Sequence, residues 1–293
     1  MLHSRQPPKV AITGANGFVG RNVGKLFAKK GIQVIGIVRK DRASSITFGM
    51  PIISDNLSEN SLISRLKSCS ALLHLIGRGR QTVDCDYEKI NVCLTKKAIK
   101  LCKKCGIKKI IYISGLGVNK HTAFGYFISK YKAEQEIINS GLNYTIFRAS
   151  YVIGKGDPLS QALQKQIKNG TIIIAGSGNY RLQPIFVEDV AQVFLHAITN
   201  KKFSNKIIDL VGPKIITYNC FVRDFLRGKR IRIKKISLEA AYHHALHNTK
   251  SVFGIDELNI LIGDYVGEHK ILQKISGIKF KTHNEVLKSS SLS

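Results

Sequence analysis

Three side chains in the middle of the sequence have the types and spacing needed for proton transfer. The apolar stretch IIYIS ends in Ser114, and the segment YFISK follows with Tyr126 and Lys130. Residues four apart lie on one face of a helix, so the phenol and the ammonium can point at the same pocket. A nearby ammonium favours the phenolate and lowers a tyrosine pKa. Tyr126 could then exchange a proton with a substrate oxygen while Ser114 orients that oxygen.

A glycine-rich loop near the N-terminus, ITGANGFVG at residues 12–20, predicts a phosphate site. Gly14 permits the tight turn after a strand, Gly17 lets a pyrophosphate approach the backbone, and Gly20 lets the following helix pack closely. The phosphate would meet free N–H groups at the positive end of a helix dipole. The spacing is GxxGxxG, a variant of the usual dinucleotide fingerprint. The predicted contacts of this loop are Gly14, Asn16, Gly17, Phe18, Val19 and Gly20.

The end of the second predicted strand indicates which dinucleotide is bound. An acidic residue there would hold the ribose 2′-hydroxyl, but the strand runs into Arg39 and Lys40. A guanidinium suits a 2′-phosphate, and Arg21 could assist. The sequence therefore favours NADP(H) over NAD(H), the alternative being that Arg39 only faces solvent. Lys130 could also hold the nicotinamide ribose.

Apolar strands alternate with amphipathic helices along the first half of the chain. The strands at 9–13, 33–38, 71–77, 108–114 and 144–150 are separated by helices, the longest at about 87–105 and 124–140. This rhythm predicts an α/β fold with a Rossmann-type, doubly wound parallel sheet. Residues 1–155 would form the NAD(P)-binding core, completed by about 182–212. The remainder, about 156–181 and 213–293, would form a small, mostly helical C-terminal lobe that meets a substrate or partner.

The charge balance of the 293 residues is strongly basic. The chain has 46 Lys and Arg against 19 Asp and Glu, a formal net charge of +27. Such an excess fits an acidic partner subunit, an anionic membrane surface, an anionic substrate, or simply many solvated lysines. The segment RGKRIRIKK at 227–235 alternates basic and apolar residues, as an edge strand would. Nucleic acid is an unlikely partner because the charge is diffuse and no helix-turn-helix is visible.

The sequence also carries features that bear on location. No apolar run is as long as the roughly 18 residues that a membrane helix needs. The N-terminal segment MLHSRQPPK is too short and too polar for a secretory signal. We therefore expect a cytoplasmic protein, or one that is peripheral to the inner face of the membrane.

Two groups of residues could be read as metal ligands. Cys102 and Cys105 form a CxxC near the end of a predicted helix, without a second such pair. His243 and His247 share a helix face with Glu239 one turn earlier, but no further ligand is apparent. We assign no metal site from the sequence. His74 is interpreted as a pocket wall.

Taken in order, these motifs resemble the short-chain dehydrogenase/reductase superfamily, in its extended or atypical branch with the NAD-dependent epimerase/dehydratases. The resemblance covers roughly residues 9–212 and rests on TGANGFVG, HLIG at 74–77, Asn91 in KINV, ISGLG at 113–117 and YFISK. It implies cofactor contacts on the adenine side at Asp55 and Leu57. It also implies contacts after the fourth strand at Ile76 and Gly77.

A second resemblance concerns the nucleotide-binding accessory subunits of respiratory complex I and their prokaryotic relatives. It rests on LIGR at 75–78, YFISK, QPIFVEDVA at 183–191 and LVGP at 210–213. In that family the resemblance implies an NADPH that is held firmly and has a structural role. A membrane-associated respiratory complex is therefore a possible partner.

Two main hypotheses follow. One is an NADP-dependent oxidoreductase or epimerase/dehydratase with a Ser–Tyr–Lys site, acting on a small molecule that the sequence does not identify. The other is a non-catalytic NADPH-binding subunit of a complex I-like assembly. A redox-sensing regulator is a third, weaker hypothesis. Association into an oligomer is possible in each.

Overall fold

Residues 8–81, 86–247 and 251–289 are described by the structure, which is a computed structural model. The segment 1–7, which contains most of the N-terminus discussed above, and Cys85 lie outside these residues. The strands are β1 Lys9–Thr13, β2 Gln33–Val38, β3 Met50–Ile53, β4 Ala71–His74, β5 Lys109–Gly115, β6 Asn143–Ala149, β7 Val152–Ile153, β8 Thr171–Ala175, β9 Arg181–Leu182, β10 Ile185–Phe186, β11 Lys206–Leu210, β12 Ile216–Thr217 and β13 Arg232–Ile236.

Helices connect these strands and cover the sheet. They are α1 Phe18–Lys29, α2 Ser61–Leu66, α3 Leu94–Cys105, α4 Gly125–Ile138, α5 Pro158–Lys168, α6 Val187–Thr199, α7 Tyr218–Leu226, α8 Leu238–His247, α9 Ile255–Leu261, α10 His269–Ser276 and α11 His283–Ser289. Short 3-10 turns lie at Lys40–Ser45 and Lys201–Phe203. The helix expected at 87–105 is continuous, but its first part, Glu88–Cys93, is a π-helix.

In the described residues, seven strands form one parallel sheet in the order β11-β6-β5-β4-β1-β2-β3. The order reverses beside β1, and β4 pairs with β1 on the other side. The loops after these two strands therefore diverge and leave a crevice at the carboxyl edge, where open α/β sheets bind ligands. The predicted doubly wound parallel sheet is confirmed.

Each face of the sheet is covered by an apolar layer. On one face, Val23 and Phe27 of α1 pack with Phe194 of α6. On the other face, Leu66 of α2 and Cys102 of α3 pack with neighbours that include Ala133 of α4. Both layers consist of fully or nearly fully buried side chains, which explains why the strands read as continuous apolar runs. This packing holds the carboxyl edge of the sheet in place.

A third apolar cluster lies in the C-terminal half and is built around Leu163, Phe221, Leu258 and Val286. The basic segment expected as an edge strand forms β13, which pairs in parallel with β8 and exposes most of its side chains. Residues in and just after α10 do not join this third cluster. Leu272, Ile278 and Phe280 pack instead with the apolar layer that contains α1 and α6. The domain boundaries given above stay a prediction.

The strand expected at 71–77 ends at His74, so Ile76 and Gly77 lie in the loop that follows it. Among the described residues, no helix combines the length and the apolar character that crossing a membrane requires.

Candidate functional site

The loop between β1 and α1 has the backbone geometry of a phosphate cradle. Gly14 has φ of +67°, and a Cβ there would lie 3.0 Å from the carbonyl of Leu75. A Cβ on Gly20 would collide with the carbonyl oxygen of Gly14, and one on Gly17 would lie 3.2 Å from the same oxygen. The Gly17 amide donates to this oxygen at 2.9 Å and closes the turn. Glycine is therefore required for the shape of this loop.

The loop delivers the N-terminus of α1 to the carboxyl edge of the sheet. Gly17 is the N-cap residue, no side chain caps the helix there, and its first turn carries no acidic residue. The first N–H groups of a helix have no intrahelical partner and attract anions. Phe18 and Val19 pack their side chains into the apolar clusters, so only their backbone is offered to a ligand. Arg21 donates to the Asn16 carbonyl and fixes the loop from outside.

The end of β2 presents an exposed group of charges. Arg39 lies 3.7 Å from Asp41, and Asp41 also pairs with Arg42 at 3.1 Å. Lys40 is exposed beside them. All these side chains are more than half exposed or lie on the surface, so these ion pairs are weak and the cations are available to an anion.

The loop after β3 places the two residues of the predicted adenine side in different environments. Asp55 is exposed, and its backbone N–H donates to Glu59 at 3.0 Å. Leu57 has φ of +63° and is only 4% exposed, because its side chain packs in the apolar layer with α2. The structure therefore brings Asp55, but not the Leu57 side chain, to the surface.

Ser114 and the Tyr126 hydroxyl both lie at the carboxyl end of β5. Ser114 is 4% exposed, and its Oγ has no hydrogen-bond partner among the described residues. A Cβ on the next residue, Gly115, would lie 3.3 Å from the Tyr126 hydroxyl, so this hydroxyl lies directly over the strand end. Tyr126 is held edge-on by Tyr87 and Phe127, with ring centroids 6.1 and 5.1 Å away.

Lys130 does not make the contact that its spacing suggested. Its Nζ donates to the Tyr112 hydroxyl at 3.1 Å and to the Ile113 carbonyl at 3.0 Å. Burial lowers the pKa of Lys130 to about 8, with Glu134 opposing that shift. Burial, followed by the proximity of Tyr265, raises the pKa of Tyr126 to about 12. The expectation that Lys130 lowers the pKa of Tyr126 is therefore wrong for this state.

Lys130 nevertheless reaches the loop after β4. A Cβ on Gly77 would lie 2.8 Å from the Lys130 Nζ and 3.7 Å from Asn91 Oδ1, so a larger residue there would require the end of the Lys130 side chain to move. Asn91 is fully buried, and its side chain bonds to the backbone of Arg78 in both directions and to Ser129 Oγ at 2.9 Å. The turn that contains Gly77 is thus fixed against α4.

A buried chain of hydrogen bonds runs from the glycine loop to α4. His74 Nδ1 meets Thr13 Oγ1 at 2.8 Å, and Nε2 meets Thr95 Oγ1 at 3.1 Å. Thr95 uses its single hydroxyl proton on the Asn91 carbonyl, so it must accept from His74, which fixes the Nε2–H tautomer. Burial, and then the Lys130 charge, lower the pKa of His74 to about 3. His74 is fully buried, so its interpretation as a pocket wall is wrong.

A cleft opens beside the Tyr126 hydroxyl, and its lining includes residues that the sequence did not single out. It is bounded by Gly115, Leu116, Tyr126, Phe127, Ala149, Ser150, Tyr151, Ile260 and Tyr265. Tyr265 packs on Phe127 with ring centroids 5.4 Å apart and sits close against Gly117. No sequence signal marks Ile260 or Tyr265, because their proximity depends on how the C-terminal segment folds back.

The two groups considered as metal ligands are also placed by the structure. Cys102 and Cys105 are buried in the apolar layer around α3, and both thiols are free. His243 and His247 are exposed on α8 with ring centroids 4.6 Å apart.

Comparison with curated proteins finds relatives that include respiratory complex I subunits and a sugar epimerase. The chain is 25% identical over 278 residues to NADH dehydrogenase [ubiquinone] 1 alpha subcomplex subunit 9, mitochondrial, of Arabidopsis thaliana, covering 86% of this chain and 69% of that protein. The Dictyostelium discoideum counterpart is 25% identical, over 74% of this chain and 63% of its own length. The Bacillus subtilis "uncharacterized sugar epimerase YhfK" is 27% identical, over 69% of this chain and 93% of its own length.

Solved structures share the fold over nearly the whole chain. MoeE5 in complex with UDP-glucuronic acid and NAD has a TM-score of 0.76 at 18% identity, covering 96% of this chain and 97% of that one. UDP-glucose 4-epimerase from Thermotoga maritima, with UDP-glucose, has a TM-score of 0.72 at 17% identity, covering 96% of each chain.

A family model matches residues 10–210, from β1 to the end of β11. This range contains the glycine loop, Ser114, Tyr126 and Lys130. The chain belongs to the NAD dependent epimerase/dehydratase family.

Proposed function

We propose that this protein binds NADP(H) in preference to NAD(H) and reduces a carbonyl compound, or epimerises or dehydrates a substrate through transient oxidation. The observation that carries the proposal is the Ser114 hydroxyl. It is buried at the carboxyl end of β5, has no partner in the described residues and immediately precedes Gly115, which the Tyr126 hydroxyl approaches. A buried polar group without a partner is costly, so this arrangement is best explained by a ligand oxygen that completes it.

The residues at the sheet edge fit a dinucleotide. The cradle formed by Gly14, Gly17 and Gly20 leaves space that a Cβ would fill, and the uncapped N-terminus of α1 offers N–H groups to a diphosphate. Arg39 and Lys40 supply cations for a 2′-phosphate. The full proposed set is Gly14, Asn16, Gly17, Phe18, Val19, Gly20, Arg39, Lys40, Asp55, Leu57, Ile76, Gly77 and Lys130.

The proton chemistry follows from the environment of Tyr126. When bound, the dinucleotide supplies or accepts a hydride. Burial raises the pKa of Tyr126 to about 12, so its phenol is protonated at neutral pH and would give up the proton only as the carbonyl oxygen becomes a strongly basic alkoxide. Ser114 Oγ would hold the same oxygen in line with the phenol. The aromatic wall of Phe127 and Tyr265 would keep water from the reacting atoms.

A second candidate function is a non-catalytic NADPH-binding subunit of a respiratory assembly. Two observations favour it: the likeness to the complex I subunits over 86% of the chain, and the attachment of Lys130 to Tyr112 and Ile113 instead of Tyr126. A phenol with no ammonium beside it is a poor base. In this function the +27 charge would meet an acidic subunit or an anionic membrane surface, and the protein would be peripheral to the inner face of the membrane. As an enzyme it would act in the cytoplasm.

Binding and turnover separate the proposals. Calorimetric titration with NADPH and NADH should give a tighter complex with NADPH; failure to bind either would refute both functions. The loaded protein is then mixed with carbonyl, enoyl and sugar-nucleotide compounds, and oxidation or exchange of the bound nucleotide is followed. Turnover supports the enzyme. Absence of turnover, together with co-purification with membrane respiratory subunits from native cells, supports the accessory subunit.

A further inference from the structure

Three side chains with metal-binding chemistry meet in the C-terminal lobe, and none of them belongs to the proposed nucleotide site. They are Cys220 and Asp224 of α7 and His283 at the start of α11. One ligand atom from each lies within 4.8 Å of the others. No motif links them in the sequence, because the histidine follows the other two after about sixty residues of chain.

The elements that carry these residues are firmly packed. Cys220 and Asp224 are four residues apart, so they project from one face of α7. His283 is 4% exposed, and in the next turn of α11 Val286 and Leu287 are buried in the apolar cluster of the lobe. The three ligand atoms are therefore held together by the fold rather than by contacts between flexible surface side chains.

The hydrogen bonds within the cluster leave it incomplete. His283 Nε2 lies 2.8 Å from Asp224 Oδ2, and Cys220 Sγ lies 3.5 Å from the same oxygen. The exposed Arg223 donates to Cys220 Sγ at 3.6 Å. His283 Nδ1 is buried and has no partner among the described residues. The thiol donates one bond and accepts one, so the imidazole Nδ1 is the atom of this cluster that stays unsatisfied among the described residues.

The spacing suits a small tetrahedral cation. Zinc bonds of about 2.0 Å to nitrogen or oxygen and about 2.3 Å to sulfur place neighbouring ligand atoms about 3.3–3.6 Å apart. The distance of 3.5 Å between Cys220 Sγ and Asp224 Oδ2 already matches this spacing. The distance of 2.8 Å between Asp224 Oδ2 and His283 Nε2 would have to increase by about half an ångström to reach it. A thiolate, an imidazole and a carboxylate together favour zinc over calcium or magnesium.

We propose that Cys220, Asp224 and His283 bind one zinc ion, with water in the fourth position. Binding releases the Cys220 thiol proton, and the resulting thiolate and the Asp224 carboxylate together neutralise the two charges of the ion, so the loaded site is neutral. The ion links α7 to α11 and thereby stabilises the packing of α11 on the lobe. This site does not depend on the proposed nucleotide function.

The test uses the full chain, freed of metal with a chelator and kept reduced with a non-thiol reductant. Cobalt(II) is titrated in, because a cobalt–thiolate bond gives a near-ultraviolet charge-transfer band that no histidine or carboxylate ligand produces. The wild type should bind one cobalt ion with this band, and zinc should displace the cobalt. Zinc should also raise the thermal unfolding midpoint, since a ligand that binds only the folded state stabilises it.

Matched variants locate the site. Cys220→Ser should abolish the band, and His283→Gln should weaken binding at least tenfold, whereas Cys93→Ser and His243→Gln should behave as the wild type. Circular dichroism of the metal-free proteins checks that each variant is folded. If Cys220→Ser or His283→Gln does not fold, Asp224→Asn is titrated in its place. Absence of the band in the wild type, or its persistence in Cys220→Ser, would overturn the proposal.

Discussion

At the residue scale, Tyr126 and Lys130 share a helix face but lie in different bonding environments. Lys130 is engaged by Tyr112 and Ile113, while Tyr126 lies over Gly115 with its proton retained by burial. The spacing YxxxK therefore placed both side chains near one pocket but did not determine which phenol the ammonium contacts. Tyr112 competes for it because it is on the same face of β5 as Ser114.

Tyr126→Phe tests the proton donor that we propose. With a substrate that turns over, we expect kcat to fall about 10²- to 10⁴-fold, the usual value of a positioned acid, with little change in the Kd for NADPH. Steady-state kinetics and calorimetry measure the two quantities. Tyr131→Phe on the same helix is the control and should keep full activity. Undiminished turnover by Tyr126→Phe would remove the phenol from the mechanism.

Arg39→Ala tests the nucleotide preference. Loss of one exposed charge-assisted bond to a 2′-phosphate should raise the Kd for NADPH about tenfold and leave the Kd for NADH unchanged. Fluorescence titration with both nucleotides measures this difference. Lys29→Ala, another exposed cation at the far end of α1, should change neither. An equal loss of affinity for NADPH and NADH would show that Arg39 does not bind the 2′-phosphate.

The buried ammonium of Lys130 should be visible in the pH dependence of stability. Its folded pKa of about 8 lies below its ordinary value of 10.5, so between these values the unfolded chain binds more protons. The free energy of unfolding contributed by this group must then rise with pH over that window and stay constant below it. Urea unfolding of the wild type and Lys130→Met at pH 7 to 10 measures the difference. Parallel pH profiles would mean that Lys130 is not shifted.

At the element scale, α4 carries two of the three candidate catalytic side chains, Tyr126 and Lys130, and is fastened to the sheet by an ion pair. Glu134 on α4 is fully buried and receives two bonds from Arg148 of β6, at 3.1 and 2.7 Å. Because the carboxylate has no access to water, its charge is balanced by this guanidinium. The pair thus sets the position of α4 relative to the end of β5.

Arg148→Met should destabilise the protein, because it leaves the buried Glu134 carboxylate without its ion-pair partner. We expect the free energy of unfolding to fall by about 3 kcal/mol, since an uncompensated charge remains in the core. Glu134→Met combined with Arg148→Met should recover much of the loss because no charge is then buried. Chemical denaturation measures both. A double variant that is less stable than Arg148→Met alone would contradict this account.

At the scale of the whole molecule, the main electrostatic feature is the net charge of +27. With 46 cations and 19 acidic residues, the positive charges outnumber the negative ones by 27. Their mutual repulsion is greatest in the compact state, so it lowers the stability of the fold. The same excess would be neutralised by an acidic subunit or an anionic surface.

Salt should therefore stabilise the protein. Raising the ionic strength from 0.01 to 0.15 M shortens the Debye length from about 30 to about 8 Å and screens the repulsion. We expect the thermal unfolding midpoint to rise over this range. Sodium chloride and sodium acetate should act alike, which separates screening from the binding of one particular anion. A midpoint that falls with both salts would show that favourable ion pairs outweigh the repulsion.

The sequence by itself determined the parallel sheet, the glycine turn and the positions of Ser114, Tyr126 and Lys130 along the chain. These features depend on local rules: apolar runs form buried strands, Gly14 alone adopts a positive φ at the turn, and helical spacing fixes which residues share a face. Their order also identified the family. None of these properties requires knowledge of distant contacts.

The tertiary structure decided what each of these side chains meets. Only packing of α4 on β5 put Lys130 against Tyr112, and only burial gave Tyr126 and Lys130 their shifted pKa values. The return of the C-terminal segment brought Tyr265 to the cleft and His283 to Cys220 and Asp224. Such contacts join residues far apart in the chain, and neither periodicity nor spacing encodes them.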